Sequence, residues 1–146
     1  MKTLSSTKLT DPSSTLALRR LVLQLNGGFL AFVGGVQIIF ELLSHFDGVG
    51  PYGQHFLHSP NTIGFVEAHG LAFLIGLLFI RIAASEPQPR WHYFAVGVHL
   101  LLGGANILFW DSFVQLGLVA PGVIATVFHG VFVMIQSLCY KLSPKV

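Results

Sequence analysis

The chain has 146 residues, room for one domain, and is 53% hydrophobic but only 10% charged, with a mean hydropathy of +0.71. A soluble domain carries roughly 25% charged residues, so most of this surface is built to meet something other than water. The net charge of +2, without a basic patch interleaved with aromatics, excludes a nucleic-acid footprint, and the single cysteine, Cys139, excludes an internal disulfide and a cysteine-built zinc cage.

Residues 1–17 are polar, rich in Ser and Thr and interrupted by Pro12, and read as a flexible cytoplasmic tail. Apolar segments follow at about 21–43, 62–80, 93–110 and 121–140. Each holds close to the ~20 residues that a helix needs to cross a ~30 Å hydrocarbon core. Runs this long satisfy their backbone in lipid as helices. The predicted domain is therefore 18–142, an all-α integral membrane four-helix bundle, with 143–146 as a second short tail.

Basic residues set the orientation. Lys2, Lys8, Arg19, Arg20, Arg81, Arg90, Lys141 and Lys145 fall in the tails or the central loop, and loops 45–60 and 111–120 hold no Lys or Arg. The positive-inside rule then places both termini in the cytoplasm, in the inner membrane of a prokaryote. The first segment is too long for a signal-peptide core and has no small-x-small cleavage site after it, so Arg19 and Arg20 are read as a membrane anchor.

The segments echo one another. Gly34-Gly35-Val36-Gln37-Ile38-Ile39-Phe40 and Gly103-Gly104-Ala105-Asn106-Ile107-Leu108-Phe109 share the pattern Gly-Gly-x-amide-Ile-x-Phe. His69-Gly70 and His129-Gly130 follow Pro60 and Pro121 at similar spacing. This suggests two hairpins related by a pseudo-two-fold axis along the membrane normal.

Helical periodicity gathers the polar residues into stripes. Asn26, Gln37, Glu41 and Ser44 share a face of the first helix, and Thr62, His69 and Gly76 one of the second. His92, His99, Gly103, Asn106 and Trp110 align on the third, and Gly122, Ala125, His129, Gln136 and Tyr140 on the fourth. In lipid such stripes turn inward, since polar groups need partners and small residues permit close approach. The expected result is one polar pocket leaning outward beneath the first loop, with Glu67 pointing away from it.

Several uses fit that pocket. The first is a site for a lipophilic small molecule of the quinone, sterol or isoprenoid type, in a redox-associated accessory protein or an enzyme. There Glu41 is the candidate general acid or base with His69 as partner, while Gln37, His99, Asn106, Trp110 and His129 line the ligand. Trp110 offers a π face to a cationic intermediate. A second reading makes His69 and His129 axial ligands of haem b. A third assigns a divalent metal to His45, His55 and His58, completed by Asp47 or Asp111. These loop histidines also titrate near neutral pH, which allows pH sensing. The plain alternative is a structural subunit whose polar groups fix helix packing. Transport needs a homo-oligomer or a larger membrane complex, because four helices enclose little lumen.

Helix two contains Glu67-Ala68-His69-Gly70-Leu71-Ala72-Phe73-Leu74-Ile75-Gly76-Leu77 and ends in Arg81-Ile82-Ala83-Ala84. The skeleton Glu-x-x-Gly-Leu-x-x-Leu-x-Gly-Leu, closed by Arg-x-Ala-Ala, resembles the second helix of DoxX-like small four-helix membrane proteins. The likeness covers the helical layout over about 19–140. It implies a link to quinone-coupled or thiol redox systems.

Overall fold

The computed structural model describes residues 12–142. Six helices occupy them: α1 (Pro12–Asp47), α2 (Gly53–Phe56), α3 (Thr62–Ala84), α4 (Pro89–Leu108), α5 (Trp110–Gln115) and α6 (Val119–Lys141). There is no strand among the described residues. The helix starts at Pro12, so residues 12–17, expected to be tail, form the first turns of α1; residues 1–11 lie outside the described part.

Local chemistry sets the boundaries. α1 stops where Gly48 takes φ +66°, a left-handed position that glycine fills without steric cost, and its N–H caps the Ser44 carbonyl. α4 starts at Pro89, whose fixed φ suits the first helical turn, behind an extended Gln88. It ends at Leu108 because Phe109 leaves helical geometry, and the chain restarts as α5 from Trp110.

Three helices, α1, α3 and α6, are long and apolar enough to cross a membrane. α4 has 20 residues, about 30 Å of helix, but His92, His99, Asn106 and its glycines dilute its apolar character. Most large apolar side chains face outward, among them Leu25, Phe32, Ile39, Leu71, Leu74, Leu101, Leu108, Val127 and Met134. A molecule with its grease on the outside is compatible with a bilayer environment and unsuited to water.

The long helices run alternately up and down and pair as α1 on α3 and α4 on α6, with α1 also touching α6. Arg20 Nη2 donates to the Ser85 carbonyl at 3.4 Å, tying the start of α1 to the end of α3. The first hairpin is held by direct backbone contact. A Cβ on Gly34 would lie 2.7 Å from the His69 carbonyl, and one on Gly27 would lie 2.7 Å from the Gly76 carbonyl. A Cβ on Gly76 would fall on the Ala31 backbone nitrogen. Between the hairpins sits an apolar cluster of Leu23, Leu30, Ala72, Phe79, Ile82, Ala83 and Ala95.

Gly76→Leu is therefore expected to force α1 and α3 apart. An overpacking cost of about 1–3 kcal/mol or more should appear as a lowered melting temperature in detergent. Gly70→Ala, with nothing within 4 Å of the added methyl, should melt like the parent.

Candidate functional site

The polar stripes turn inward but divide into separate groups. The outer group belongs to the first hairpin and its loop. Backbone contact at Gly34 sets His69 beside α1. Side chains lean toward their own helix N-terminus, so His69 reaches outward while Glu41, on the antiparallel helix, leans back to meet it. Glu41 Oε1 accepts from His69 Nδ1 at 2.5 Å. The Glu41 side chain is 0% exposed and that of His69 is 28% exposed. Glu41 Oε2 is buried without a hydrogen-bond partner. With Nδ1 engaged, Nε2 is the polar atom of the pair that an incoming molecule meets first.

Gln37, one helical turn from Glu41, accepts a 2.6 Å bond from the Tyr52 hydroxyl. Tyr52 is buried and stacks on Phe56 at 4.7 Å, which in turn packs on Phe65 of α3 at 5.0 Å. Ser44 Oγ donates to the Val49 carbonyl at 2.8 Å. The loop after α1 is thus fastened over this group. Tyr52 has its pKa pushed up to about 12, first by burial and then by the Glu41 charge, against the opposing effect of the Gln37 bond.

The inner group joins the hairpins. Asn26 Oδ1 accepts from His99 Nε2 at 2.9 Å, and His99 Nδ1 lies 2.9 Å from His129 Nδ1. These contacts fix the tautomers for neutral rings. His99 spends its N–H on Asn26, so its Nδ1 carries the lone pair. His129 must then donate from Nδ1 and keep a bare Nε2. His99 also stacks on Phe132 at 4.8 Å. Gly103 makes room, since a Cβ there would lie 3.0 Å from the His129 Cβ.

A third group lies toward the basic end, where His92 Nδ1 donates to Gln136 Oε1 at 2.5 Å. Both side chains are fully buried.

No family model matches the chain, and no curated protein or solved structure proves significantly similar to it. The residues themselves must carry the reading.

Glu41 and His69 do form the predicted pair, with Gln37 in the same outer group. His99 and His129 meet elsewhere, against Asn26. Asn106 is half-buried and takes no part in either set of side-chain hydrogen bonds. Trp110 is not on a continued α4 stripe: the break at Phe109 redirects it against Phe113, with ring centroids 5.5 Å apart. His69 and His129, considered above as a haem pair, are each held at Nδ1 by a different partner, Glu41 and His99.

Nor do the loop histidines converge as a metal centre. His45 and His58 stand edge-on with centroids 6.0 Å apart, while His55, Asp47 and Asp111 are exposed. Among the described residues no three of His, Cys, Asp and Glu gather closely enough to hold a metal ion. Two clefts lie away from the first loop, at the opposite, basic end.

Sequence reasoning passed over Tyr52, because one aromatic in a turn-rich loop carries no periodic signal. Asn26, His92 and Gln136 sat on the stripes, but nothing in their spacing named their partners.

The raised Tyr52 pKa has a sign that can be tested. The folded state holds the phenol proton more tightly than the unfolded chain, whose tyrosine titrates near 10. This contribution to stability is complete below pH 10 and is lost as pH rises toward about 12. Ultraviolet titration of phenolate should show one tyrosine ionising near pH 12, absent in Tyr52→Phe and shifted down in Glu41→Gln.

Proposed function

We propose that the chain is a four-helix membrane bundle with both termini cytoplasmic, and that Glu41 and His69 form the polar end of a site for a lipophilic small molecule. The fitting class is a molecule with an oxygen function on an apolar skeleton, of the quinone, sterol or isoprenoid type. The observation that carries this reading is a fully buried carboxylate hydrogen-bonded at 2.5 Å to a part-exposed imidazole.

Ionisable groups at membrane depth are expensive and tend to be functional. A packing role needs only that the two groups satisfy each other. Here the pair remains incomplete, with Oε2 of Glu41 unpartnered and the imidazole reaching the surface of an otherwise apolar hairpin. A carbonyl or hydroxyl on a lipid-soluble molecule could bond to His69 Nε2 while its skeleton lies along residues one turn away on the same face of α3, Phe65 and Phe73. Glu41 would stabilise positive charge on the ring or take its Nδ1 proton, which gives the pair the means for acid–base or redox-coupled chemistry.

The topology has its own support. Arg19, Arg20, Arg81, Arg90 and Lys141 collect at one end of the long helices, the end proposed to face the cytoplasm. α4 completes the bundle by burying its His99 face and presenting Leu100, Leu101 and Leu108 outward. The matched contacts of Gly34 with His69 and Gly103 with His129 support a duplicated hairpin. They also fit the resemblance of α3 to DoxX-like proteins and the redox-linked role that it implies.

The test is gentle purification followed by mass spectrometry of the extracted small molecules. Wild type should retain a quinone, sterol or isoprenoid. Glu41→Gln and His69→Ala should hold roughly tenfold less, the scale of one charge-assisted hydrogen bond, with unchanged helicity. Equal retention by the variants, or none by wild type, refutes the proposal.

A further inference from the structure

The basic end holds a part-buried arginine with one guanidinium edge buried and unpartnered. Arg19 lies two helical turns before Asn26 on α1 and His92 two turns before His99 on α4, so the bond between Asn26 and His99 sets Arg19 and His92 at one level. Nε and Nη2 of Arg19 are buried without hydrogen-bond partners. The same holds for Nε2 of Gln136 and Nε2 of His92, whose other polar atoms bond to each other. Among the described residues no carboxylate pairs with Arg19, the single ion pair being Glu41 with His69.

The chemistry of these orphaned atoms is one-sided. Arg19 and Gln136 present only N–H donors, and the His92 lone pair is the sole acceptor. Nε and Nη2 are moreover the parallel edge of the guanidinium, the edge that grips the two oxygens of a carboxylate or phosphate. A guanidinium edge buried without partners is disfavoured, so the arrangement calls for an anion. Depth agrees, because His92 lies within the first turn of α4, at the level where lipid headgroups sit. Two clefts open at this end. Arg19 lines one with Arg20, Ser85, Glu86 and Gln88, while Thr15 and Leu18 line the other, apolar one with Leu142.

We infer that Arg19, Gln136 and His92 form an oxyanion site at the basic end of the bundle, independent of Glu41 and His69, which takes the carboxylate or phosphate of a membrane lipid. Arg19 grips two of its oxygens, Gln136 adds a third donor, and the apolar cleft at Leu18, Leu21 and Leu142 admits the acyl chain. His92 accepts from the anion's own hydroxyl where the bound group keeps a proton.

The full chain in neutral detergent can be titrated with oleate, with phosphatidylglycerol and with inorganic phosphate, reading melting temperature and native mass. Oleate or phosphatidylglycerol should raise the melting temperature and leave one lipid bound per chain. A rise with inorganic phosphate alone would mean a free-anion site and would overturn the lipid assignment. Arg19→Gln should weaken lipid binding roughly tenfold or more, whereas Arg81→Gln, exposed at the same end and lining neither cleft, should leave it unchanged. If Arg19→Gln does not fold, Gln136→Leu keeps the charge and should still weaken binding measurably. Equal binding by wild type, Arg19→Gln and Arg81→Gln would overturn the site, as would no binding by wild type. Asp11 lies outside the described residues. Lipid binding seen only in Asp11→Asn would show that the chain supplies its own anion, and would overturn the proposal too.

Discussion

Backbone contact between α1 and α3 is the constraint on which the outer site depends. Gly27, Gly34 and Gly76 remove the side chains that would hold the two helices apart. At that separation Glu41 and His69, leaning from opposite directions, come within 2.5 Å. A wider spacing would leave a carboxylate alone in an apolar wall, where a bare charge is strongly disfavoured. Helix approach and polar pairing are thus one requirement: van der Waals contact between small residues supplies the geometry, and the hydrogen bond makes burial of the acid tolerable.

The second hairpin solves the same problem differently. Gly103 brings His129 close to α4, much as Gly34 brings His69 close to α1. The position matching Glu41 in the repeated pattern is Trp110, so no acid waits there. His129 turns instead to His99, which already donates to Asn26 of the first hairpin. That chain of bonds crosses from α1 to α4 to α6 and supplements the apolar cluster around Leu23, Phe79 and Ala95. One hairpin therefore keeps its Glu41–His69 pair near the surface, while the other places its histidine in the joint between the two. The polar residues thus form one pair inside the first hairpin and one chain of bonds across the joint between hairpins.

Much of the architecture was legible in the residue order. Unbroken apolar runs predicted long helices, and α3 and α6 appear within a few residues of their expected bounds. Period-3.6 stripes correctly turned Asn26, Glu41, His92, His99 and Gln136 inward. Two boundaries moved. α1 extends back to Pro12, since nothing in residues 12–17 opposes continuing a helix already formed. α4 stops at Leu108, because one residue, Phe109, departs from helical dihedrals, which hydropathy cannot register.

The sequence by itself determined the composition of each helix face, because the helical period is fixed by backbone geometry and needs no partner. It also set which end of the molecule is basic. Only the tertiary structure decided who meets whom: that Glu41 binds His69 and not Gln37, that Gln37 goes to Tyr52, and that His99 bridges Asn26 and His129. Those pairings depend on helix separation, axial offset and rotation, which differ by a few ångströms between alternative packings of the same stripes. Hydrogen bonds discriminate at that scale, and hydrophobic patterning does not.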